Sequence, residues 1–181
     1  MKRFFAFASA MFLGTCMAAT AAQGFTLTSP VIKPDGTIPL QQVYTQCGGG
    51  NVSPQLEWRD APPGTKSFAI SVFDPDAPGG GFWHWIAFNI AVGAHGLNPG
   101  AGTPHSGNAP GDTVQLKNGF GNYGYSGPCP PSGKPHHYVF TAYALDVPVL
   151  PVSAAAGADH VIAAIKKHAL ATATLTAMYG R

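Results

Sequence analysis

The feature that most restricts this chain is its punctuation. Glycine and proline, 23 and 17 of the 181 residues, gather in "PDG", "GGGN", "APPGT", "PDAPGGG", "NPGAGTP", "NAPGD" and "SGPCPPSGKP". Glycine reverses the backbone at low steric cost, and proline withholds an N–H from any helix or ladder it enters. Long helices are therefore excluded over most of the chain, and the stretches between the turns are the length of strands. "SFAISVFD" (67–74) sets Phe68, Ile70 and Val72 on one face and Ala69, Ser71 and Phe73 on the other. "FWHWIAFNI" (82–90) is apolar on both faces, as a covered central strand requires. "GFTLTSPVI" alternates more weakly, and "HYVFTAYALDV" (137–147) closes the series.

Past Pro151 the composition changes. "SAAAGADHVIAAIKKHALATATL" is alanine-rich, with Val161, Ile162, Ile165 and Ala169 at helical spacing and Leu170 and Leu175 slightly off that stripe. Ser153 or Asp159 could cap its start. The pattern predicts a C-terminal helix, in one or two pieces, laid on a mainly β domain. With no internal repeat, one domain is expected over residues 23–181.

The first 22 residues stand apart. Lys2 and Arg3 precede an apolar stretch from Phe4 to Leu13, and Ala19-Thr20-Ala21 forms a small-residue cleavage site. This is the order of a secretory signal peptide, and it is too short for a stable membrane span. Cleavage is expected after Ala21 or Ala22, leaving a periplasmic or secreted protein. Without Lys2 and Arg3 the basic residues only match the 8 acidic ones. The remaining surface offers no field for nucleic acid. Cys47 and Cys129 survive processing. They are either a disulfide, closing a loop of about eighty residues at a gain of roughly 4 kcal/mol, or two free buried thiols.

Polar residues with chemistry cluster at strand ends. Asp74 closes one strand, and Asp76 follows in a proline-fixed turn where an Asx-type role is expected. His84 lies within the aromatic strand, as a satisfied core residue or as a ligand group. His136 and Tyr138 open the last strand on one face, with His137 on the other, toward solvent. Together Asp74, His84, His136 and Tyr138 suit a small anion or a zwitterionic head group: histidines and a phenol donate to oxyanions, and the carboxylate orients a histidine. No metal spacing, phosphate loop or G-x-S-x-G elbow is present, so neither a metal nor another cofactor is expected. Ser126 or Ser132 could in principle serve a hydrolase built on the same His and Asp residues.

Four ordered motifs, "NVSPQLEW" with "PPGTKSFAI", "DPDAP", "WHW" with "FNI", and "GYSGPCPPSGKPHHYVFTAYALD", resemble the phosphatidylethanolamine-binding protein family, and within it the bacterial Raf-kinase-inhibitor-like branch. The branch usually has Cys-Asp-Gly where this chain reads "CGGGN". The resemblance implies a β-sandwich with Greek-key topology and a C-terminal helix. It also implies a small cavity for phosphate-type anions or phospholipid head groups, such as phosphoethanolamine. Asp74, His84, His136 and Tyr138 would be its polar groups, with a wall around Pro128 and Pro130. No established catalysis accompanies the family, so a non-enzymatic binding protein is expected. Inhibition of a protease or kinase through surface loops is the alternative, with the protein partner left open.

Overall fold

The computed structural model describes residues 24–104 and 106–181, so the leader read from the sequence lies outside the described residues. Eight strands form two antiparallel sheets. The smaller has the order β1-β2-β5, from Thr26–Thr28 (β1), Leu56–Arg59 (β2) and Gly96–Leu97 (β5). The larger comprises Ser67–Asp74 (β3), Phe82–Ala91 (β4), Val114–Gln115 (β6), His136–Leu145 (β7) and Ala169–Tyr179 (β8), in the order β6-β4-β3-β7-β8. Within it β7 returns to lie beside β3, outside the β3–β4–β6 succession, which is a Greek key.

The sheets face each other across the main core. Leu27, Leu56, Trp58 and Leu97 of the small sheet meet Phe68, Ile70, Val72, Trp85 and Phe140 of the large one. On its opposite face the large sheet buries Ala69, Ile86, Phe88 and Tyr143 beneath a helix, Ala158–His168 (α1). Coverage on both faces is why β3 and β4 read as continuous apolar runs. The helix buries Val161, Ile162 and Ile165, and its charges follow the macrodipole: Asp159 in the first turn, Lys166 and Lys167 in the last. Its N-cap is Gly157, while Ser153 caps the 3-10 turn before it. No described helix is long and apolar enough to cross a membrane.

The predicted C-terminal helix is correct only as far as His168. From Ala169 the chain becomes β8, which pairs with β7 from Leu145 back to His136. Its Ala-Thr alternation is a strand pattern: Ala173, Leu175 and Ala177 point inward, and Leu170, Thr172 and Thr174 outward. Leu170 and Leu175 missed the helical stripe because they are not on a helix. Pairing along β7 overrides the helical propensity of alanine. His168 marks the change of direction, its Nδ1 2.8 Å from Asp146 Oδ1 while its carbonyl accepts from the Asp146 N–H at 3.0 Å.

Candidate functional site

The end of β3, the start of β4 and the start of β7 meet at one corner of the large sheet, and there a cavity of about 170 Å³ opens. It is smaller than the usual pocket for a drug-sized ligand and suits a head group or small anion. Asp74, His84, His136 and Tyr138 all line it, so the structure brings the four candidate polar groups together. The rest of its wall is apolar: Ala77, Pro78, Phe82, Phe120, Cys129, Pro130 and Pro131.

Asp74 organises this corner. Its Oδ1 accepts the N–H groups of Asp76 and Ala77, at 2.9 and 3.1 Å, closing the turn after β3. Its Oδ2 lies 2.8 Å from His136 Nδ1. Asp74 is thus the turn-former, a role the sequence reading gave to Asp76. Asp76 instead accepts from both the backbone N–H and Nδ1 of His137, each at 2.7 Å. That backbone hydrogen bond, with the side-chain one beside it, holds the Asp76 carboxyl below its ordinary value.

His84 owes its direction to an irregularity of β4. Trp83 pairs with Phe73 and Trp85 with Val72, so His84 is an extra residue with no partner opposite. Such a bulge bends the strand and re-aims a side chain. Its Nδ1 lies 2.7 Å from the carbonyl of Ser126, which can only accept, so Nδ1 carries a proton there. Phe82, Phe120 and Tyr138 surround the ring at centroid distances of 5.0, 5.8 and 5.1 Å. Burial in this cage lowers the His84 pKa, against the pull of the Ser126 and Gly127 carbonyls and of Asp74. Gly81 and Gly119 make the close packing possible, since a Cβ on either would overlap the ring of Phe73 or Phe82.

Tyr138 is fully buried, and its hydroxyl has no hydrogen-bond partner. Among the described residues one other buried side-chain polar atom shares that condition, Gln42 Oε1, whose residue does not line the cavity. Burial, then the charge of Asp74 and the pull of its carboxylate on the hydroxyl proton from beyond hydrogen-bond distance, push the Tyr138 phenol well above its ordinary pKa, so it is a neutral O–H. An unpaired buried hydroxyl costs about 1–3 kcal/mol, and this one belongs to a residue of the cavity wall.

The proline loop is the outer wall. Cys129 is bonded to Cys47, with Cα atoms 5.6 Å apart, which ties the loop to the 3-10 turn Thr45–Cys47. The Tyr44 N–H donates to the Pro128 carbonyl, Gly127 N–H to Asn51 Oδ1, and Arg181 Nε to the Pro130 carbonyl. Pro130 and Pro131 face the cavity, whereas Pro128 lies behind the wall as one of its tethers, a correction to the expected pair. Phe82 and Phe120 were not singled out from the sequence. Phe120 sits in "NGFGNYG", where no alternation signals burial, and it stacks on Tyr44 at 4.5 Å. Ser126 turns its carbonyl to His84, while its hydroxyl accepts from Asn118 Nδ2 at 2.8 Å.

The family model described as phosphatidylethanolamine-binding protein matches residues 28–180. Escherichia coli YbcL, a UPF0098 protein, is 41% identical over 162 residues, spanning 87% of this chain and 88% of YbcL. YbhB from the same organism is 38% identical over 156 residues, 84% of this chain and 98% of YbhB. LppC of Mycobacterium tuberculosis, which carries a lipoprotein name, is 42% identical over 130 residues, 71% of this chain and 59% of its own. The crystal structure of YbcL, described as a new member of the mammalian PEBP family, superposes with a TM-score of 0.84 over 88% of this chain and 99% of that one, at 40% identity. With its sandwich, its corner cavity and these matches along nearly its whole described length, the chain belongs to the phosphatidylethanolamine-binding protein family.

Proposed function

We propose that the protein is an exported, non-enzymatic binding protein whose corner cavity holds a phosphate-type anion or the phosphorylated head group of a phospholipid. The unpartnered, fully buried hydroxyl of Tyr138, set in that cavity beside two histidines, carries this reading. The volume admits a head group and leaves acyl chains outside. Support for a binding role over catalysis comes from the possible nucleophiles. The Ser126 hydroxyl is bound by Asn118, the Cys129 sulfur is in a disulfide, and Ser132 does not line the cavity. Export rests on the leader pattern, and a lipoprotein name among the relatives is consistent with it.

Titration calorimetry with inorganic phosphate and with phosphoethanolamine tests the site. His84→Ala and His136→Ala should each abolish binding while circular dichroism remains that of the parent. Unchanged affinity in both variants would reject the cavity as the binding site. N-terminal sequencing of the periplasmic protein tests export, and a start at Met1 would reject cleavage.

A further inference from the structure

The hydrogen-bond pattern at the corner fixes which way each polar group can serve a ligand. His84 spends its Nδ1 proton on the Ser126 carbonyl, so its neutral ring offers the lone pair of Nε2. His136 directs Nδ1 at the Asp74 carboxylate, so the Nδ1 proton is held there and, in the neutral form of the ring, the lone pair lies on Nε2. The hydroxyl of Tyr138 faces the Asp74 carboxylate without a formed hydrogen bond, so its proton can turn to a ligand. Other donors are scarce. Among the described residues no lysine or arginine lines the cavity, and Pro78, Pro130 and Pro131 have no N–H. The N–H of Ala77 goes to Asp74, and that of Phe120 to Asn118 Oδ1. The ionisable groups around His84 are Asp74 from the end of β3 and His136 and Tyr138 from β7; the loop carrying Phe120 adds none to the lining. Among its side chains such a set has two acceptors, one donor and a carboxylate.

We propose that, among free inorganic oxyanions, the cavity selects one that still carries a proton, a phosphate with an O–H group, and rejects the fully ionised sulfate. A phospholipid's phosphodiester, which has no O–H, meets the same acceptors only through a donor elsewhere on its head group, such as an ammonium. This rests on the anion-binding reading of the same cavity. A phosphate O–H donates to a histidine Nε2 while another oxygen accepts from Tyr138. Sulfate has no proton to give, so its oxygens face the lone pairs of both histidines and the charge of Asp74. A site whose buried groups must be hydrogen-bonded discriminates strongly against an analogue lacking the matching hydrogen. Asp74 is a positioning residue here, because it sets the tautomer of His136 without needing to touch the ligand.

The test is calorimetry of the folded protein with inorganic phosphate and with sulfate near neutral pH, repeated on Asp74→Asn. Phosphate should bind at least about tenfold more tightly than sulfate. In the variant, Asn Oδ1 can keep both turn hydrogen bonds while its amide donates to His136 Nδ1. The imidazole proton then moves to Nε2, and the preference should fall to within about threefold because sulfate binding rises. Equal affinity of the parent for the two anions overturns the selectivity and leaves an anion site standing. A preference undiminished in folded Asp74→Asn overturns the role given to Asp74. Binding of neither anion to the parent overturns the anion reading itself, and this proposal with it.

Discussion

Two Asp–His pairs stand side by side where β3 meets β7, and they are opposite in almost everything but composition. Asp74–His136 and Asp76–His137 have contacts of 2.8 and 2.7 Å. The side chains of the first pair are 4% and 15% exposed, those of the second 34% and 42%. The period of the strand separates them, since neighbouring residues of β7 face opposite sides of the sheet. The inner pair is largely withdrawn from solvent, and the Asp74 carboxylate is satisfied by two backbone amides and an imidazole. The outer pair remains hydrated and clips a turn. Identical chemistry becomes part of a cavity wall on one face and a surface latch on the other.

The sharpest way to break this comparison is to remove each carboxylate. Asp74→Ala strands a buried imidazole and two turn amides, so urea unfolding should show a loss of about 3–5 kcal/mol. Asp76→Ala should cost far less, as exposed pairs do, and equal losses would erase the distinction. Next comes Tyr138→Phe, which deletes an unpaired hydroxyl. It should leave stability unchanged or raise it by about 1 kcal/mol while phosphate affinity falls about tenfold. A large loss of stability would mean that the hydroxyl has a partner inside the protein.

Acid distinguishes the regions by where they respond. Burial lowers the folded-state pKa of His84 below its ordinary value near 6.5, so on acidification the unfolded chain binds that proton first. Stability should therefore decline as pH falls below about 6.5, and His84→Gln should flatten that limb of the urea-midpoint profile. Asp76, lowered from 3.8, acts in another window: its contribution is intact above that pH and is lost as pH falls through the lower folded value. Asp76→Asn should change only this acid limb. The smallest effect is expected from His137→Ala, which should leave phosphate affinity within about twofold because the side chain points away from the cavity.

What the sequence shows and what it hides divide along similar lines. Strands β3, β4 and β7 are legible because burial imposes its period on the side chains, and the four polar residues are legible because they sit at the ends of those strands. The bulge that re-aims His84 leaves no trace in "FWHWIAF", since it is a property of pairing between β3 and β4. Strand β8 was hidden by alanine, which favours a helix in isolation and accepts a strand when a partner such as β7 is available. The turn-capping role was given to Asp76 and not to Asp74 because the two differ in local sequence by too little to show which one caps the turn. The Phe82–Phe120 wall depends on a Gly-rich loop folding over β4, a contact between distant segments that no local pattern announces.

The Cys47–Cys129 bond makes the place of synthesis a variable in any binding measurement. Chain made where thiols are kept reduced can still form both sheets and their cores, because neither cysteine belongs to them. Its proline wall would then hang on the carbonyls of Pro128 and Pro130 and the N–H of Gly127. Such a preparation would keep both sheets at a stability lower by roughly 4 kcal/mol and present a looser cavity than the oxidised protein. An affinity for this protein therefore has a defined meaning only alongside its thiol count.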